Sequence, residues 1–296
     1  MARAHNIMLG FPNRIDQCEI TGGAWVESLP LANLRNRLFS RVARSTSAAE
    51  SATQMVLDLG DPKSIRILGL IAHTITLQGR LRIEASQFSD FRTLVHDTGY
   101  RDVWGGLIGA PWMIEELEWE SDNYWYGTYS REQVEGFTAV SVHVLDAPVF
   151  ARFWRLSVQD ARNPAGFIQI GRVFIGEGVQ PRINYSWGAG AAYETGTQVE
   201  RALGGAKFFD VREPVRVFRF TLEHMNDEEA FGTFQEIVRR AGIHGELMVI
   251  PDPTDLYQGL RRNFMGSLRQ LSPLEQVTWM DGGSAHSMAF EIEELR

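Results

Sequence analysis

The chain has 296 residues, 44% hydrophobic and 22% charged, enough for two domains or one large one with an ample core. A formal net charge of -8 argues against a general nucleic-acid binder, which gathers Lys and Arg against phosphate. Cys18 is the single cysteine, which excludes an internal disulfide framework and a thiolate-rich metal site and points to folding in a reducing cytoplasm.

The stretch MARAHNIMLGFPNRIDQ lacks the apolar h-region of a secretory signal, and no apolar run reaches the roughly 18 residues that span a bilayer. Neither a secretory signal nor membrane insertion is expected. Residues 1–46 read as irregular structure with short strands, and RSTSAAESATQ as a loop. DLGDPKSIRILGLIAHTITLQGRLRIEAS (58–86) follows. Asp58 and Gly60 read as an opening turn, and 64–72 as a strand buried on both faces. HTITLQ connects it to a half-buried strand over 79–86, with Leu81, Ile83 and Ala85 inward and Arg80, Arg82 and Glu84 on a wet face. His73, with no nucleophile or carboxylate that sequence places beside it, is expected to be a turn histidine bonded to backbone.

Residues 88–137 are aromatic and acidic, an insertion in the β pattern. VSVHVL (140–145), FWRLSV (153–158) and FIQIGRVFIG (167–176) have strand character, with QDARNPAG as a turn between the last two. Residues 1–176 thus read as an antiparallel β-sandwich. The Gly- and Ala-rich 177–207 is expected to be a linker or arm, and 208–296 an α+β domain. There VRVFRFTL (215–222) is a strand with Phe218, Phe220 and Leu222 on one face. NDEEAFGTFQEIVRRAG (226–242) is the best helix: Asn226 caps it, Glu229 completes a capping box, and Gly242 stops it. Ala230, Phe231, Phe234, Ile237, Val238 and Ala241 form its apolar stripe. ELMVI, FMGSLRQL and SMAFEIEEL supply further strands. The fold class is mainly β.

Catalytic and metal signatures are absent: there is no H-E-x-x-H, C-x-x-C, P-loop or G-x-S-x-G, and GGLIGA has the wrong spacing for a dinucleotide site. Asp160 with Asn163, and DPTD (252–255), offer oxygens to Ca²⁺ but read first as turns. No catalytic residue, metal or cofactor is therefore expected, and the chain is expected not to be an enzyme. The densest constellation is PWMIEELEWESDNYWYGTY, with Trp112, Trp119, Tyr124, Trp125, Tyr126 and Tyr129 among Glu115, Glu116, Glu118, Glu120 and Asp122. Such aromatics serve a protein interface, a sandwich core or a glycan site, and paired carboxylates serve glycoside hydrolysis; the residues leave these four open.

DLGDPKSIRILGLIAHTITLQGRLRIEAS and FWRLSVQDARNPAGFIQIGRVFIG together resemble the galactose-binding-like (discoidin, F5/8 type C) jelly roll, in which a DLG strand start leads into a buried strand and a later aromatic–Arg strand runs as ARFWRL does here. HTITLQGRLRIEAS and NPAGFIQIGRVFIG are similar to tail proteins of bacteriophages with long, non-contractile tails. VRVFRFTLEHMNDEEAF, GELMVIPDP and AFEIEEL resemble the tail-tip proteins of such phages, with their tail-tube and distal-tail layout. The resemblance spans about residues 25–295. It implies a structural protein of the virion tail tip or baseplate, made in the host bacterial cytoplasm, in a homo-oligomeric ring that contacts tail tube, hub and other baseplate subunits. Trp187 and Tyr193 would then belong to an inter-subunit arm. The rival implication is a lectin-like module that binds host surface polysaccharide.

Overall fold

The computed structural model describes residues 5–104, 134–255, 258–280 and 283–296. It is mainly β and antiparallel, as expected. The first half holds β1 (Met8–Asn13), β2 (Glu19–Thr21), β3 (Ala43–Arg44), β4 (Met55–His73), β5 (Arg80–Ser86), β6 (Leu94–Asp102), β7 (Val140–Gln159) and β8 (Gln169–Val179). The second holds β9 (Gly190–Glu194), β10 (Gln198–Arg201), β11 (Lys207–Asp210), β12 (Val215–Met225), β13 (Leu247–Ile250), β14 (Phe264–Leu268), β15 (Glu275–Met280) and β16 (Gly283–Glu294). Among the described residues no helix is long and apolar enough to cross a membrane.

Two long strands build the sandwich. Met55–Asp58 of β4 pairs with the far end of β7, which also carries β5, whereas Ile67–His73 pairs with β8. Leu57, Ile83, Trp154 and Leu156 from the first pairing share one core with Leu68, Leu70, Val173 and Ile175 from the second. The two ends of β4 and β7 therefore face each other across a common interior. The change of layer falls at a bulge after Asp58, where Gly60 takes φ +76°. Asp58 accepts from the Gly60 N–H at 2.8 Å and from Arg152 at 2.7 and 2.8 Å. It lies inside a strand, where the sequence suggests a turn before one, because the bulge itself supplies the turn chemistry.

Glu84 also departs from expectation. It is 3% exposed rather than wet, since Arg155 donates to it at 2.6 Å and Arg82 lies 3.2 Å away. The Phe91 ring covers the Arg155 guanidinium at 4.5 Å. VSVHVL and FWRLSV are one continuous strand, and Trp154, Leu156 and Val158 are fully buried on one face of it, as their alternation predicts.

β1 joins the halves. It pairs with β8 on one side and β13 on the other, so the sheet runs β6-β5-β7-β4-β8-β1-β13-β14-β16-β12-β9. The central contact is tight: a Cβ on Gly10 would stand 2.8 Å from the Phe174 ring and 2.9 Å from Met248. Beside it Arg172, fully buried, donates to Glu246 and Asp16 at 2.6 Å each and to the Leu34 carbonyl at 3.0 Å. Leu9, Leu247 and Val249 face the helix, while Met8, Met248 and Ile250 pack on Phe174, Ile67 and Ile71 behind.

The helix runs in π register over Glu228–Gln235 and in α register over Glu236–Ala241. Asn226 caps it, accepting from the Glu229 N–H at 2.8 Å, and Gly242 ends it at φ 54°. Glu229 reaches Arg182 N at 2.7 Å rather than closing a capping box. Phe231, expected in the apolar stripe, is 52% exposed; the π turn spaces side chains more widely than 3.6 residues and rotates it outward.

Within 177–207, β9 hydrogen-bonds to β12 and extends the main sheet, while β10 pairs with β11 as a separate two-stranded hairpin.

Candidate functional site

A cleft of about 410 Å³ lies where the β5–β6–β7 edge meets the loop after β13. Volumes of this order hold small ligands. Its floor is apolar, from Val103, Val140, Val142, Ile250 and Leu260. Polar groups stand around it, contributed by separate elements: Arg80 from β5, Arg101 and Asp102 from the end of β6, Ser141 and His143 from β7, and Asp255 and Asn263 from the second half.

The far wall is held by a buried pair. Arg216 donates to Glu294 at 2.9 Å and to the carbonyls of Leu260 and Asn263 at 2.8 and 3.1 Å, fixing the short helix Gly259–Arg262. Asp255 ties down the approach to that helix, accepting from Gln258 N at 2.9 Å and from Arg262 at 2.7 Å. On the near wall Arg80 and Asp102 pair at 3.3 Å, both about half exposed. Trp104 closes the base of that wall, donating its indole N–H to the Ile75 carbonyl at 3.0 Å.

Electrostatically the cleft lining mixes both signs. Its lining carries Arg80 and Arg101 with Asp102 and Asp255; Asp102 pairs with Arg80, and Asp255 with Arg262 outside the lining. Burial, and then the charge of Arg101, push His143 down to about 4, so at neutral pH its ring is uncharged and offers one donor and one acceptor. Ser141 donates to the Val103 carbonyl at 2.7 Å and lies 3.3 Å from His143 Nε2. Among the described residues no carboxylate orients that imidazole, so the pair is not set up as nucleophile and base.

His73 lies behind this wall. It is not the backbone-bonded turn residue expected from sequence: it is 5% exposed, with neither ring nitrogen hydrogen-bonded. It packs edge-on against Trp104 at 5.2 Å, and burial followed by His143 holds it down to about 3. A Ser–His–Asp grouping occurs at the helix entrance. His286 Nε2 is 2.7 Å from Asp227 and 2.9 Å from Ser284, whose hydroxyl also donates to Asp227. Both contacts fall on the same ring nitrogen, whereas a proton relay needs opposite ones. The arrangement ties the helix start to β16.

The oxygen-rich turns hold no metal geometry. Asp160 accepts from Thr76 N, Thr76 Oγ1 and Asn163 Nδ2 at 2.8, 2.6 and 2.9 Å, and Asp252 accepts from Thr254. Among the described residues no cluster of three His, Cys, Asp or Glu is placed to hold an ion.

Trp112, Trp119, Tyr124, Trp125, Tyr126 and Tyr129 lie outside the described residues. Trp187 is fully exposed just before β9, and Tyr193 is 57% exposed within it. They stand beside a feature that the sequence reading missed. The β10–β11 hairpin is exposed along its whole length although it carries Val199, Leu203, Phe208 and Phe209, with Val211 following. Its signal was present as Gly204–Gly205 between QVERA and AKFFDV, a two-glycine turn between β-forming runs. The cleft residues had no such signal, since they come from segments with no common spacing.

The chain matches no family model and no curated protein. Several solved structures are similar to it. A family 32 carbohydrate-binding module of Clostridium perfringens NanJ, in complex with galactose, has a TM-score of 0.37 and 10% identity, over 57% of this chain and 99% of that one. A mutant of the lectin-binding domain of lectinolysin, complexed with Lewis b, has a TM-score of 0.36 and 10% identity, over 57% and 98%. A family 89 glycoside hydrolase from C. perfringens, in complex with 2-acetamido-1,2-dideoxynojirmycin, has a TM-score of 0.37 and 13% identity over 56% of this chain. This chain spans only 15% of that hydrolase.

Proposed function

We propose that the chain is a non-catalytic, lectin-like recognition module that takes a neutral polyhydroxylated ligand, a sugar unit of a surface polysaccharide, in the cleft between β6, β7 and the loop after β13. The carrying observation is the composition of that cleft: two guanidinium groups and two carboxylates, an uncharged imidazole and an apolar floor. A charged ligand would leave one pair of ions unmatched. A sugar uses both, giving hydroxyl protons to carboxylates and accepting from guanidinium groups while its C–H face lies on the valines.

Calorimetric titration with galactose, glucose and host surface polysaccharide tests this. Saturable binding that Arg101→Ala and Asp102→Asn each weaken about tenfold, roughly 1.4 kcal/mol, is expected. Both side chains are exposed, so neither substitution disturbs the core. Absence of heat with every sugar at millimolar concentration, or binding indifferent to both substitutions, refutes the reading.

A second reading, a structural subunit of a phage tail tip or baseplate, is favoured by the exposed apolar hairpin, a surface that monomers seldom leave in water. It agrees with the sequence resemblance and gives such a module a place to work. Density for this chain at the distal tail in images of intact particles supports it; absence from the virion eliminates it.

A further inference from the structure

The β10–β11 hairpin turns through ALGGA, residues 202–206, which carry no polar side chain, and Leu203 is fully exposed there. Residues 198–214 are exposed without interruption, so the hairpin stands clear of the main sheet. Its base is fixed: Arg212 N donates to Thr197 Oγ1 at 3.0 Å, and Thr195 Oγ1 donates to the Arg212 carbonyl at 3.2 Å. Its tip is closed: the Ala202 N–H donates to the Ala206 carbonyl and the Gly205 N–H to the Ala202 carbonyl, each at 2.9 Å. The tip thus presents apolar surface with two backbone donors already paired, which lowers the cost of taking it out of water.

Charge is ordered along the hairpin. Cross-strand pairing sets Arg201 opposite Lys207, immediately behind the tip. Neither has a carboxylate partner among the described residues. Val199 and Phe209 follow on the same face, and Phe208 stands on the other. The hairpin's carboxylates lie further from the tip: Glu200 is on the opposite face, paired with Phe208, and Asp210 is engaged by Arg212 at 3.3 Å. From the tip backwards the order is apolar, cationic, then aromatic with mixed charge. A bilayer met from its acyl chains outward presents hydrocarbon, phosphate and then water.

We infer that the hairpin is a peripheral membrane anchor, whose tip enters the acyl boundary of an anionic phospholipid bilayer while Arg201 and Lys207 hold headgroup phosphates. An apolar tip alone would suit a protein groove equally well. Two unpaired cations at one level, one on each strand, select a plane of negative charge. The contact is interfacial, so it needs no run of the roughly 18 apolar residues that span a bilayer. The chain's net charge of -8 opposes it only weakly, because the body is held back. Gln198 lies about 10 Å behind Arg201 at the usual strand rise, and charges are screened over about 10 Å at 0.1 M salt. The inference goes beyond sugar recognition and does not rest on it.

Co-sedimentation of the full chain with vesicles free of glycolipid tests it and keeps the cleft out of the measurement. Binding to equal parts of phosphatidylglycerol and phosphatidylcholine is expected, about tenfold weaker on phosphatidylcholine alone. Leu203→Asp is expected to abolish binding, and Arg201→Glu with Lys207→Glu to remove the preference for anionic lipid. All three side chains are exposed, so the variants fold, as unchanged circular dichroism will show. A polarity-sensitive thiol dye reads depth: on Leu203→Cys its emission shifts to the blue with vesicles, and on Gln198→Cys it stays in water. Cys18 is buried and escapes the label. A wild type that leaves anionic vesicles unbound assigns the hairpin to a protein partner and overturns the inference, as does binding indifferent to Leu203→Asp. Sugar titration of Leu203→Asp is a separate readout, so either proposal can fail alone.

Discussion

At the scale of single residues, the two histidines of the cleft wall set a direction of pH dependence. An unfolded histidine binds its proton near pH 6.5, whereas folded His143 resists to about 4 and His73 to about 3. Between those values the unfolded chain holds more protons, so stability is complete above the ordinary histidine range and falls as pH drops through it. Thermal melting from pH 7.5 to 4.5 is expected to show a declining midpoint, and His73→Leu to flatten the decline. An unchanged slope in that variant would show that His73 titrates freely in the fold. Cys18 gives the complementary case. Burial, with Asp58 adding to it, pushes its thiol up to about 12, so it packs as a small apolar side chain and not as a nucleophile.

The same residues show what sequence can and cannot convey. That His73 has no chemical companions nearby in the chain was legible in sequence. Its burial was not, because Trp104 and His143 reach it only after β6 and β7 return to β4. Glu84 is similar: its alternation placed it in water, and the Arg155 that buries it lies far along the chain. Burial of a charge depends on where its partner arrives.

At the scale of elements, strands were legible where alternation was strict, as in Trp154–Val158 or Met288–Ile292, since that period follows from the pleat. Their lengths were less so. A bulge reads in sequence as a turn, so Asp58 and Gly60 looked like a boundary although β4 runs through them. The β1–β13 contact makes the element prediction. Because a Cβ on Gly10 would already meet Phe174 at 2.8 Å and Met248 at 2.9 Å, Gly10→Val is expected to cost about 1–3 kcal/mol by overpacking. A urea midpoint within error of the wild type would mean that β1 and β13 separate to admit the side chain.

At the scale of the whole molecule, the pairing β8–β1–β13 makes one sheet of both halves, and the buried Arg172–Glu246 pair lies across the same junction. Calorimetry is therefore expected to show one unfolding transition whose calorimetric and van't Hoff enthalpies agree. Two resolved transitions would show that the halves melt separately despite their shared strand. None of this connectivity was legible, because pairing between residues near 9 and near 249 leaves no mark on either segment alone.

That shared strand also bears on how the chain is made. Leu9 pairs with Val179 and with Val249, so β1 leaves the ribosome well before either neighbour exists. At roughly 5–20 residues per second, it waits on the order of ten seconds or more with IMLGF unpaired. The centre of the finished sheet thus cannot close until β8 and then β13 have been made. Over that interval the nascent protein presents a bare apolar strand to chaperones and to other nascent copies, and yield in the cell will depend on which arrives first.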